Sequence, residues 1–460
     1  MAKNFGLNKK KYILIFGDLI ILYFCLWLTL AIRYFDFGFT TWINHLWPFS
    51  LVFFIWILIF YIDDLYDLNY GRQHISLINR LVRGTVISGI MAVLLFYFAG
   101  DRLFTIKPQR VLLIDLVITA VMLYLWRLFF SYLIRNRQTV ENILMVGNNP
   151  AAQEIVKTIA NNPALGFRIK VIISLDKNQS PIEDYKNIYG TQNLNQICQE
   201  NKIRTLITAV NPREYPELLK NLFSCLPLQI NFYDIATFSE KISGKIPVNT
   251  LEQMWFLENL TKIRSPFYQN SKRIFDLTLS ILILIVALPL LPVIILAIKL
   301  SSRGPIFFQQ KRVGKNSKIF TIIKFRSMFI DAENQGAQWA TKNDPRVTKI
   351  GRIMRKTRID EIPQLLNVIK GEMSLIGPRP ERPEFVEQLH QEIPFYKERL
   401  LVKPGLTGWA QVEGPNYGGS KNESLEKLQY DLFYIKNQSF GLDLSITLKT
   451  IKTILTRKGQ

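Results

Sequence analysis

Four long apolar runs, separated by short polar stretches, dominate the first third of the chain. Each run has close to the ~20 residues that a helix needs to cross a bilayer, and soluble core helices explain four such runs poorly. Aromatic residues crowd the ends of the runs, as is typical of helices that meet the membrane surface. We therefore predict a membrane protein with a four-helix transmembrane bundle in residues 1–138, with spans at Tyr12–Ile32, Leu46–Ile62, Leu81–Ala99 and Val111–Ile134.

The distribution of basic residues predicts how these spans are oriented. Lys3 and the run Lys9–Lys11 precede the first span, whereas the loop after it carries little beyond Arg33. Basic residues favour the cytoplasmic side, so the N-terminus is expected inside, although three basic residues in the third loop oppose this assignment. Four spans would then return the chain to the cytoplasm.

The pattern changes at Glu141, where short apolar runs begin to alternate with helical patterns. This alternation predicts a βαβ series and a parallel sheet, hence a central α/β Rossmann-like domain in residues 139–245. We interpret residues 246–270 as a linker. Strands are predicted at Ile143–Val146, Ile169–Ser174, Thr205–Ala209 and Leu228–Tyr233, and helices at Ala151–Ala160, Leu194–Asn201 and Tyr215–Leu222.

The nucleotide-binding fingerprint G-x-G-x-x-G is degenerate in this domain. Gly147 keeps the first position, but Asn149 and Ala152 stand at the other two. Side chains at these positions hinder the close approach of a pyrophosphate to the backbone. We therefore interpret the domain as structural or regulatory rather than as a working cofactor site.

A fifth apolar run, Leu277–Ile298, has basic residues at both ends and contains Pro289 and Pro292. Proline inside a helix removes a hydrogen bond and kinks or breaks the helix. The part before the prolines would reach only ~18 Å, short of a ~30 Å hydrocarbon core. The pattern fits a helix that enters and leaves by one face, and it fits a proline-kinked span equally well.

Composition and charge narrow the chemistry. The formal net charge of +21 predicts an anionic partner, such as nucleic acid, anionic lipid or a phosphorylated substrate. The three cysteines are not at C-x-x-C spacing and the three histidines are scattered, which argues against a zinc site, a disulfide framework or a histidine triad. A metal would therefore be a hard cation on oxygen ligands, which points to Mg²⁺.

One adjacent acid pair, Asp360-Glu361, follows a strongly basic region. From Lys299 to Arg358 there are fifteen Lys and Arg against three Asp and Glu. Such a field concentrates anions and should keep both acids ionised. An ionised Asp is a potential nucleophile toward phosphorus, and Glu is a potential metal ligand or proton carrier. The alternative is a solvated acid pair at a helix start.

Basic residues around the pair suggest phosphate binding. Arginine grips phosphate oxygens with a planar fork, and the prolines on both sides of Arg379 restrict its backbone. Basic residues with interleaved aromatics would also suit nucleic acid, but this cluster directly follows a membrane segment, so we predict no nucleic-acid partner. The motifs include Lys324-Phe325-Arg326 and Pro378-Arg379-Pro380.

Together with three further motifs, these residues resemble the bacterial sugar transferase family. The resemblance is to long-form polyprenyl-phosphate hexose-1-phosphate transferases with a monotopic-type phosphoglycosyl transferase core. It covers about Ser271 to the C-terminus and implies a mainly α catalytic domain in residues 271–460 with a re-entrant membrane helix at 273–300. The further motifs are Lys272-Arg273-x-Phe275-Asp276, Asp360-Glu361-x-Pro363-Gln364 and Pro404-Gly405-x-Thr407-Gly408-Trp409.

The resemblance implies a reaction in which a UDP-hexose, with UDP-glucose and UDP-galactose as leading candidates, gives its sugar-1-phosphate to undecaprenyl phosphate and releases UMP. The resemblance also implies that this reaction primes exopolysaccharide, capsule or O-antigen synthesis at the bacterial inner membrane. The catalytic domain is then expected on the cytoplasmic face, with membrane lipids as partners. A homodimer is a candidate assembly. Asp360 is the expected nucleophile and Glu361 the Mg²⁺ ligand. The candidate substrate-binding residues are Lys272, Arg273, Gln310, Arg312, Lys324, Arg326, Arg358, Gln364, Pro378, Arg379 and Pro380.

Two alternatives stay open from the residues alone. A membrane-anchored nucleotide-sugar dehydratase or epimerase would need a working glycine fingerprint and a Tyr-x-x-x-Lys pair in the middle domain, and neither is evident. A non-enzymatic scaffold would leave the acid pair without a role.

The tail at Gly441–Lys458 has apolar residues at helical spacing and predicts either a membrane-surface helix or a core-packing helix.

Overall fold

A computed structural model describes most of the chain, which divides into two compact units, Met1–Lys241 and Ile242–Gln460. The described residues are 5–35, 39–66, 74–103, 109–137, 140–162, 165–175, 181–182, 185–248, 253–260, 266–332, 336, 339, 344–414 and 420–455.

The first unit begins with the four predicted apolar helices, and each extends a few residues beyond its apolar run. All four contain a stretch that is long and apolar enough to cross a membrane by length and composition. The prediction of four N-terminal apolar helices is therefore confirmed. They are α1 (Phe5–Tyr34), α2 (Phe39–Ile62), α3 (His74–Leu103) and α4 (Gln109–Arg137).

Helices α1 and α4 are joined by polar contacts inside the apolar bundle. Nη2 of Arg127 donates to Oδ2 of Asp18 at 2.7 Å, and both side chains are almost fully buried. Because an unpaired charge inside a bilayer is costly, the pair fixes the register of the two helices. Gly17 allows their close approach, since a Cβ there would lie 2.1 Å from the ring of Trp126.

The second half of this unit is the predicted parallel-sheet α/β domain. Its five strands are all parallel in the order β3-β2-β1-β4-β5, so the chain switches direction between β1 and β4. The short strand β3 was not predicted. The strands are β1 (Glu141–Val146), β2 (Phe167–Ser174), β3 (Lys186–Tyr189), β4 (Ile203–Thr208) and β5 (Asn231–Asp234), and the helices are α5 (Pro150–Asn161), α6 (Leu194–Glu200), α7 (Pro216–Ser224) and α8 (Ile235–Ser243).

The second unit is mainly helical, as predicted, with two small sheets. Strands β6 (Phe307–Val313) and β7 (Ile319–Phe325) form an antiparallel hairpin, and β8 (Ser374–Ile376) pairs in parallel with β9 (Gly405–Thr407). The helices are α9 (Gln253–Leu260), α10 (Pro266–Ala287), α11 (Leu291–Ser301), α12 (Lys349–Thr357), α13 (Leu365–Lys370), α14 (Pro383–Glu392), α15 (Trp409–Glu413), α16 (Lys421–Asn437) and α17 (Phe440–Leu455).

The segment interpreted as a linker contributes to the core of this unit. Ile246 and Val248 are buried in the same apolar cluster as Phe256 of α9. The ring of Phe256 stacks on Phe395 with the ring centroids 4.0 Å apart. The second compact unit therefore includes residues well before Ser271.

The fifth apolar run is interrupted where its prolines predict. Helix α10 ends at Ala287, a 3-10 turn follows at Leu288–Leu290, and α11 begins at Leu291. Only 11% of the most apolar stretch of Pro266–Ser301 is buried. Most of its apolar surface is thus left for a membrane to cover.

The C-terminal helix α17 packs into the core. Ile446 and Asp443 are fully or almost fully buried. Oδ1 of Asp443 accepts from the hydroxyl of Tyr434 at 2.9 Å. Of the two interpretations of this tail, the structure favours the core-packing helix.

Candidate active site

Helix α12 directly precedes the acid pair in the chain and sets its position. The hydroxyl of Thr348 caps its first turn by accepting from the Gly351 amide at 2.9 Å. A Cβ on Gly351 would lie 1.9 Å from the Ser327 carbonyl oxygen, so only glycine permits this packing. The helix ends at Thr357, and Arg358 adopts a left-handed conformation with φ 58°. This turn places the next residues under the β6–β7 hairpin.

Asp360 and Glu361 lie on the 3-10 helix Ile359–Gln364. Each is only 6% exposed. Acidic side chains are almost never buried unless they are paired or functional. The alternative of a solvated acid pair is therefore wrong.

Three cations converge on one oxygen of Glu361. Its Oε1 accepts from Nη2 of Arg379 at 2.6 Å, and it lies 3.4 Å from Nη1 of Arg358 and 3.6 Å from Nζ of Lys324. Burial raises the pKa of Glu361, but Arg379, Lys324 and Arg358 outweigh it and hold the pKa well below its ordinary value. Glu361 is thus an anion that organises three of the predicted phosphate-binding residues.

Asp360 has a different environment from its neighbour. Its Oδ1 is buried and accepts no hydrogen bond from the described residues. Burial and the adjacent Glu361 raise its pKa, although Lys324 and Arg355 oppose them. The surrounding cations were expected to favour the ionised form of both acids. They outweigh burial at Glu361, whereas at Asp360 desolvation is the larger effect and raises the pKa.

Arg355 is a neighbour of the acid pair that sequence reasoning missed. Its Nε donates to Oγ of Ser327 at 2.9 Å, and its charge acts on both acids. It stands on the last turn of α12, five positions before Asp360. Its place inside the dense basic stretch was visible, but nothing in that stretch distinguished it from surface arginines.

Lys324 lies near the end of β7 and faces the acid pair. Burial lowers its pKa to about 8, although Glu361 pulls the pKa upward. With a pKa of about 8, the Lys324 ammonium group loses its proton, and its charge, just above neutral pH. Its charge is therefore available to bind phosphate near neutrality and is lost in alkaline solution.

The Pro378-Arg379-Pro380 segment is supported by the β6 strand. Nη1 of Arg312 donates to the Pro380 carbonyl at 3.0 Å and lies 3.6 Å from the Glu381 carboxylate. Nη2 of Arg312 donates to the Gln310 side chain. Gln310 and Arg312 thus hold the proline-flanked segment, while Arg379 itself reaches the acid pair.

Three other predicted site residues, Lys272, Arg273 and Arg326, make their contacts near the two ends of the fifth apolar run. Lys272 binds Asp443 at 3.1 Å, and Arg273 donates to the Val368 and Ile369 carbonyls, both at 2.7 Å. Nη2 of Arg326 donates to the Ser302 carbonyl at 2.8 Å. Gln364 is buried on the same 3-10 helix as the acid pair.

The acid pair fits a magnesium ion that arrives with phosphate. In proteins Mg²⁺ keeps several waters and uses one or two carboxylates plus substrate phosphates. Among the described residues no group of three or more His, Cys, Asp or Glu could hold a metal by itself. The unpaired Oδ1 of Asp360 and the neighbouring Glu361 carboxylate suit this partial site.

Comparisons with known proteins match both halves of the chain. A family model for bacterial sugar transferases matches residues 267–457. The Aeromonas hydrophila UDP-N-acetylgalactosamine-undecaprenyl-phosphate N-acetylgalactosaminephosphotransferase is 44% identical over 238 residues, which are 52% of this chain and 55% of that protein. The Salmonella typhimurium undecaprenyl-phosphate galactose phosphotransferase is 30% identical over 338 residues, 69% of this chain and 68% of that protein.

A third relative extends the same likeness. The Escherichia coli UDP-glucose:undecaprenyl-phosphate glucose-1-phosphate transferase is 33% identical over 323 residues, 67% of this chain and 66% of that protein. The chain thus spans about half of the Aeromonas protein, at 55%, and about two thirds of the other two. The chain belongs to the bacterial sugar transferase family.

A second family model, for a CoA-binding domain, matches residues 61–236. In this domain the side chain of Asn149 bridges the switch point of the sheet. Its Nδ2 donates to the Ala209 carbonyl at 2.7 Å, and its Oδ1 accepts from the Ala152 amide at 2.9 Å. A pyrophosphate bound at this crevice would have to displace Asn149, so these residues do not fit one there. The structural or regulatory role of the domain stays a prediction.

Proposed function

We propose that the protein transfers a hexose-1-phosphate from a UDP-hexose to undecaprenyl phosphate and releases UMP. The observation that carries this proposal is the buried Asp360, whose Oδ1 is unpaired beside a glutamate that gathers three cations. The names of the three relatives support the acceptor, undecaprenyl phosphate, and the sugar-phosphate transfer. The transfer would prime exopolysaccharide, capsule or O-antigen synthesis.

The reaction has two displacement steps at one phosphorus. A carboxylate oxygen of Asp360 attacks the sugar-bearing phosphorus of the donor. The bond from this phosphorus to the bridging oxygen breaks, and UMP leaves with the electron pair. A phosphate oxygen of the lipid then attacks the phospho-aspartyl group, and Asp360 leaves as a carboxylate. Two anionic substrates thereby use one site in turn.

The cations around Glu361 suit the charge that develops in both steps. Lys324, Arg358 and Arg379 are held within 3.6 Å of Oε1 of Glu361, so their positive charge is in place before the donor binds. A bound Mg²⁺ would add Lewis-acid neutralisation of the phosphate oxygens. The burial of Asp360 limits access of water to the phospho-aspartyl group.

Contacts on both sides of the fifth apolar run, Leu277–Ile298, support a re-entrant arrangement. Arg273, at the start, binds carbonyls of α13, and Ser302, at the end, is bound by Arg326. A straight helix between them would separate the two by roughly 44 Å. Yet Asn367 of α13 donates to the Thr321 carbonyl of β7 at 2.8 Å, so both anchors belong to one folded region. The chain would thus enter and leave the membrane on the cytoplasmic face.

The test is UMP release by the full-length protein in membranes that contain undecaprenyl phosphate. The donors are UDP-glucose, UDP-galactose and UDP-N-acetylgalactosamine, because the relatives are named for these three sugars. We expect UMP release with at least one donor. Without the lipid, release should stop after a single turnover. The proposal would be refuted if, with every donor, the wild-type protein released UMP no faster than the Asp360→Asn protein.

A further inference from the structure

The main chain of residues 378–381 is held by a hydrogen bond at every carbonyl. Two donors are backbone amides and two are arginine side chains. The bonds are Gly405 N to the Pro378 oxygen at 2.9 Å, Arg399 Nη2 to the Arg379 oxygen at 2.9 Å, Arg312 Nη1 to the Pro380 oxygen at 3.0 Å, and Val313 N to the Glu381 oxygen at 3.0 Å.

Arg399 is the more buried of the two arginine donors and was not a predicted site residue. It is 6% exposed and lies on the 3-10 helix Tyr396–Leu401. Its Nη2 lies 2.8 Å from Oδ2 of Asp431 on α16, and its Nη1 donates to the Tyr396 hydroxyl at 2.8 Å. One guanidinium therefore connects two structural anchors to the Arg379 carbonyl.

We propose that Arg399 is a positioning residue for the transfer, acting through Arg379 on the acid pair. The prolines at 378 and 380 restrict the backbone around Arg379, because Pro380 limits the conformation of the residue before it, and the Arg379 carbonyl carries the bond from Arg399. The bond from Arg399 fixes that carbonyl, and hence the direction from which the Arg379 side chain reaches Oε1 of Glu361 at 2.6 Å. The inference rests on the proposed function for its kinetic consequences.

The geometry requires arginine rather than a generic cation. A planar guanidinium fork meets Asp431, Tyr396 and the Arg379 carbonyl together, whereas a lysine is a single point charge. Lysine at this position would keep a positive charge beside Asp431 but would release the Arg379 carbonyl. The Arg399→Lys variant therefore separates positioning from charge pairing.

The first measurement is the kinetics of the full-length Arg399→Lys protein. We expect kcat to fall by about 10- to 100-fold, because small displacements of catalytic groups have effects of that size. The matched control is Lys397→Ala, a cation on the same 3-10 helix that pairs at the surface with Glu387 at 3.3 Å. It should keep wild-type kcat. Wild-type kcat in Arg399→Lys would overturn the proposal.

The second measurement is a double-mutant cycle with Arg379→Ala. If Arg399 acts through Arg379, adding Arg399→Lys to Arg379→Ala should cost less than about twofold further in kcat. A purely structural role of Arg399 would give the same loss in both backgrounds, and this result would also overturn the proposal. Should Arg399→Lys fail to fold, Tyr396→Phe, which removes one anchor, takes its place with a smaller loss.

The third measurement does not depend on activity. The Gly405 and Val313 amides donate to the Pro378 and Glu381 carbonyls, so their hydrogen exchange reports whether the segment is held. Arg399→Lys should speed their exchange by about tenfold or more, and Lys397→Ala should not. Unchanged exchange contradicts positioning. A wild-type protein that releases no UMP would refute the proposed function alone, since the exchange result still decides the role of Arg399.

Discussion

Nη2 of Arg379 donates a 2.6 Å hydrogen bond to Oε1 of Glu361, linking a proline-flanked loop to the buried acid pair. From the sequence, Arg379 was predicted to bind phosphate and Glu361 was predicted to bind Mg²⁺, with no link between the two. Their contact means that Glu361 holds the clamp in position as well as facing any metal. Because Glu361 and donor phosphates would compete for the same guanidinium, binding of the donor should loosen this pair.

Asp360→Asn should abolish transfer while the protein stays folded in membranes. An amide oxygen is a poor nucleophile toward phosphorus, so we expect UMP release to fall by about 10³-fold or more. The control is Glu387→Gln on α14, whose exposed carboxylate pairs only with a surface lysine in the described contacts. Wild-type turnover in Asp360→Asn would remove Asp360 as the nucleophile.

Glu361→Gln should reduce kcat by about 100-fold and weaken the magnesium dependence. Loss of the negative charge frees Arg379, Arg358 and Lys324 from their common anchor and would remove the proposed Mg²⁺ ligand. The measurement is a magnesium titration of UMP release in both proteins. A titration that superimposes on that of the wild type would assign the metal to other oxygens.

The transfer rate should have an alkaline limb near pH 8. Lys324 must be protonated to bind phosphate, and burial lowers its pKa to about 8, so kcat/KM should fall as pH rises through that value. On the acid side kcat/KM should fall as Asp360 protonates, at a higher pH than for an ordinary aspartate, since burial raises its pKa. Lys324→Arg stays charged and should lose the alkaline limb. A limb that persists at the same pH would exclude Lys324 as its source.

A fragment that begins at residue 242 should work better than one that begins at 271. Ile246, Val248 and Phe256 are buried in the core of the second unit, and each such side chain contributes about 1.5–3 kcal/mol. Some activity is still expected from 271–460, which contains all the motifs. We expect its thermal unfolding midpoint to be lower by roughly 5 °C or more. Equal midpoints would show that the preceding residues are dispensable for folding.

The Pro289→Ala, Pro292→Ala protein should drift toward a full membrane crossing and lose activity. The 3-10 turn at Leu288–Leu290 separates α10 from α11, and proline inside a regular helix costs about 3 kcal/mol or more. Its removal favours a straight helix. The measurement is labelling of cysteines introduced near residues 270 and 305 with a membrane-impermeant reagent in intact cells. In the wild-type background both should be protected, and labelling near 305 alone would contradict the re-entrant arrangement.

Several elements of this protein could be predicted because their signals are local in the sequence. Length and apolarity set the four N-terminal helices, period and turn residues set the parallel-sheet domain, and Pro289 with Pro292 marked the break after α10. The acid pair and the proline-flanked Arg379 were also found from residue type and spacing. Each depends on properties of neighbours along the chain, which a sequence displays directly.

The different roles of these site residues follow from contacts that form only in the folded protein. Arg358 is only three positions from Glu361, but nothing local brings Lys324 and Arg379 to the same oxygen of Glu361. Nothing local separates the pKa of Asp360 from that of its neighbour either. Burial and charge depend on groups far apart in sequence, such as Asp431 and Arg399 behind Arg379. Desolvation of Asp360 arises where α12, β7 and the 3-10 helix meet, and this packing exists only after the chain has folded.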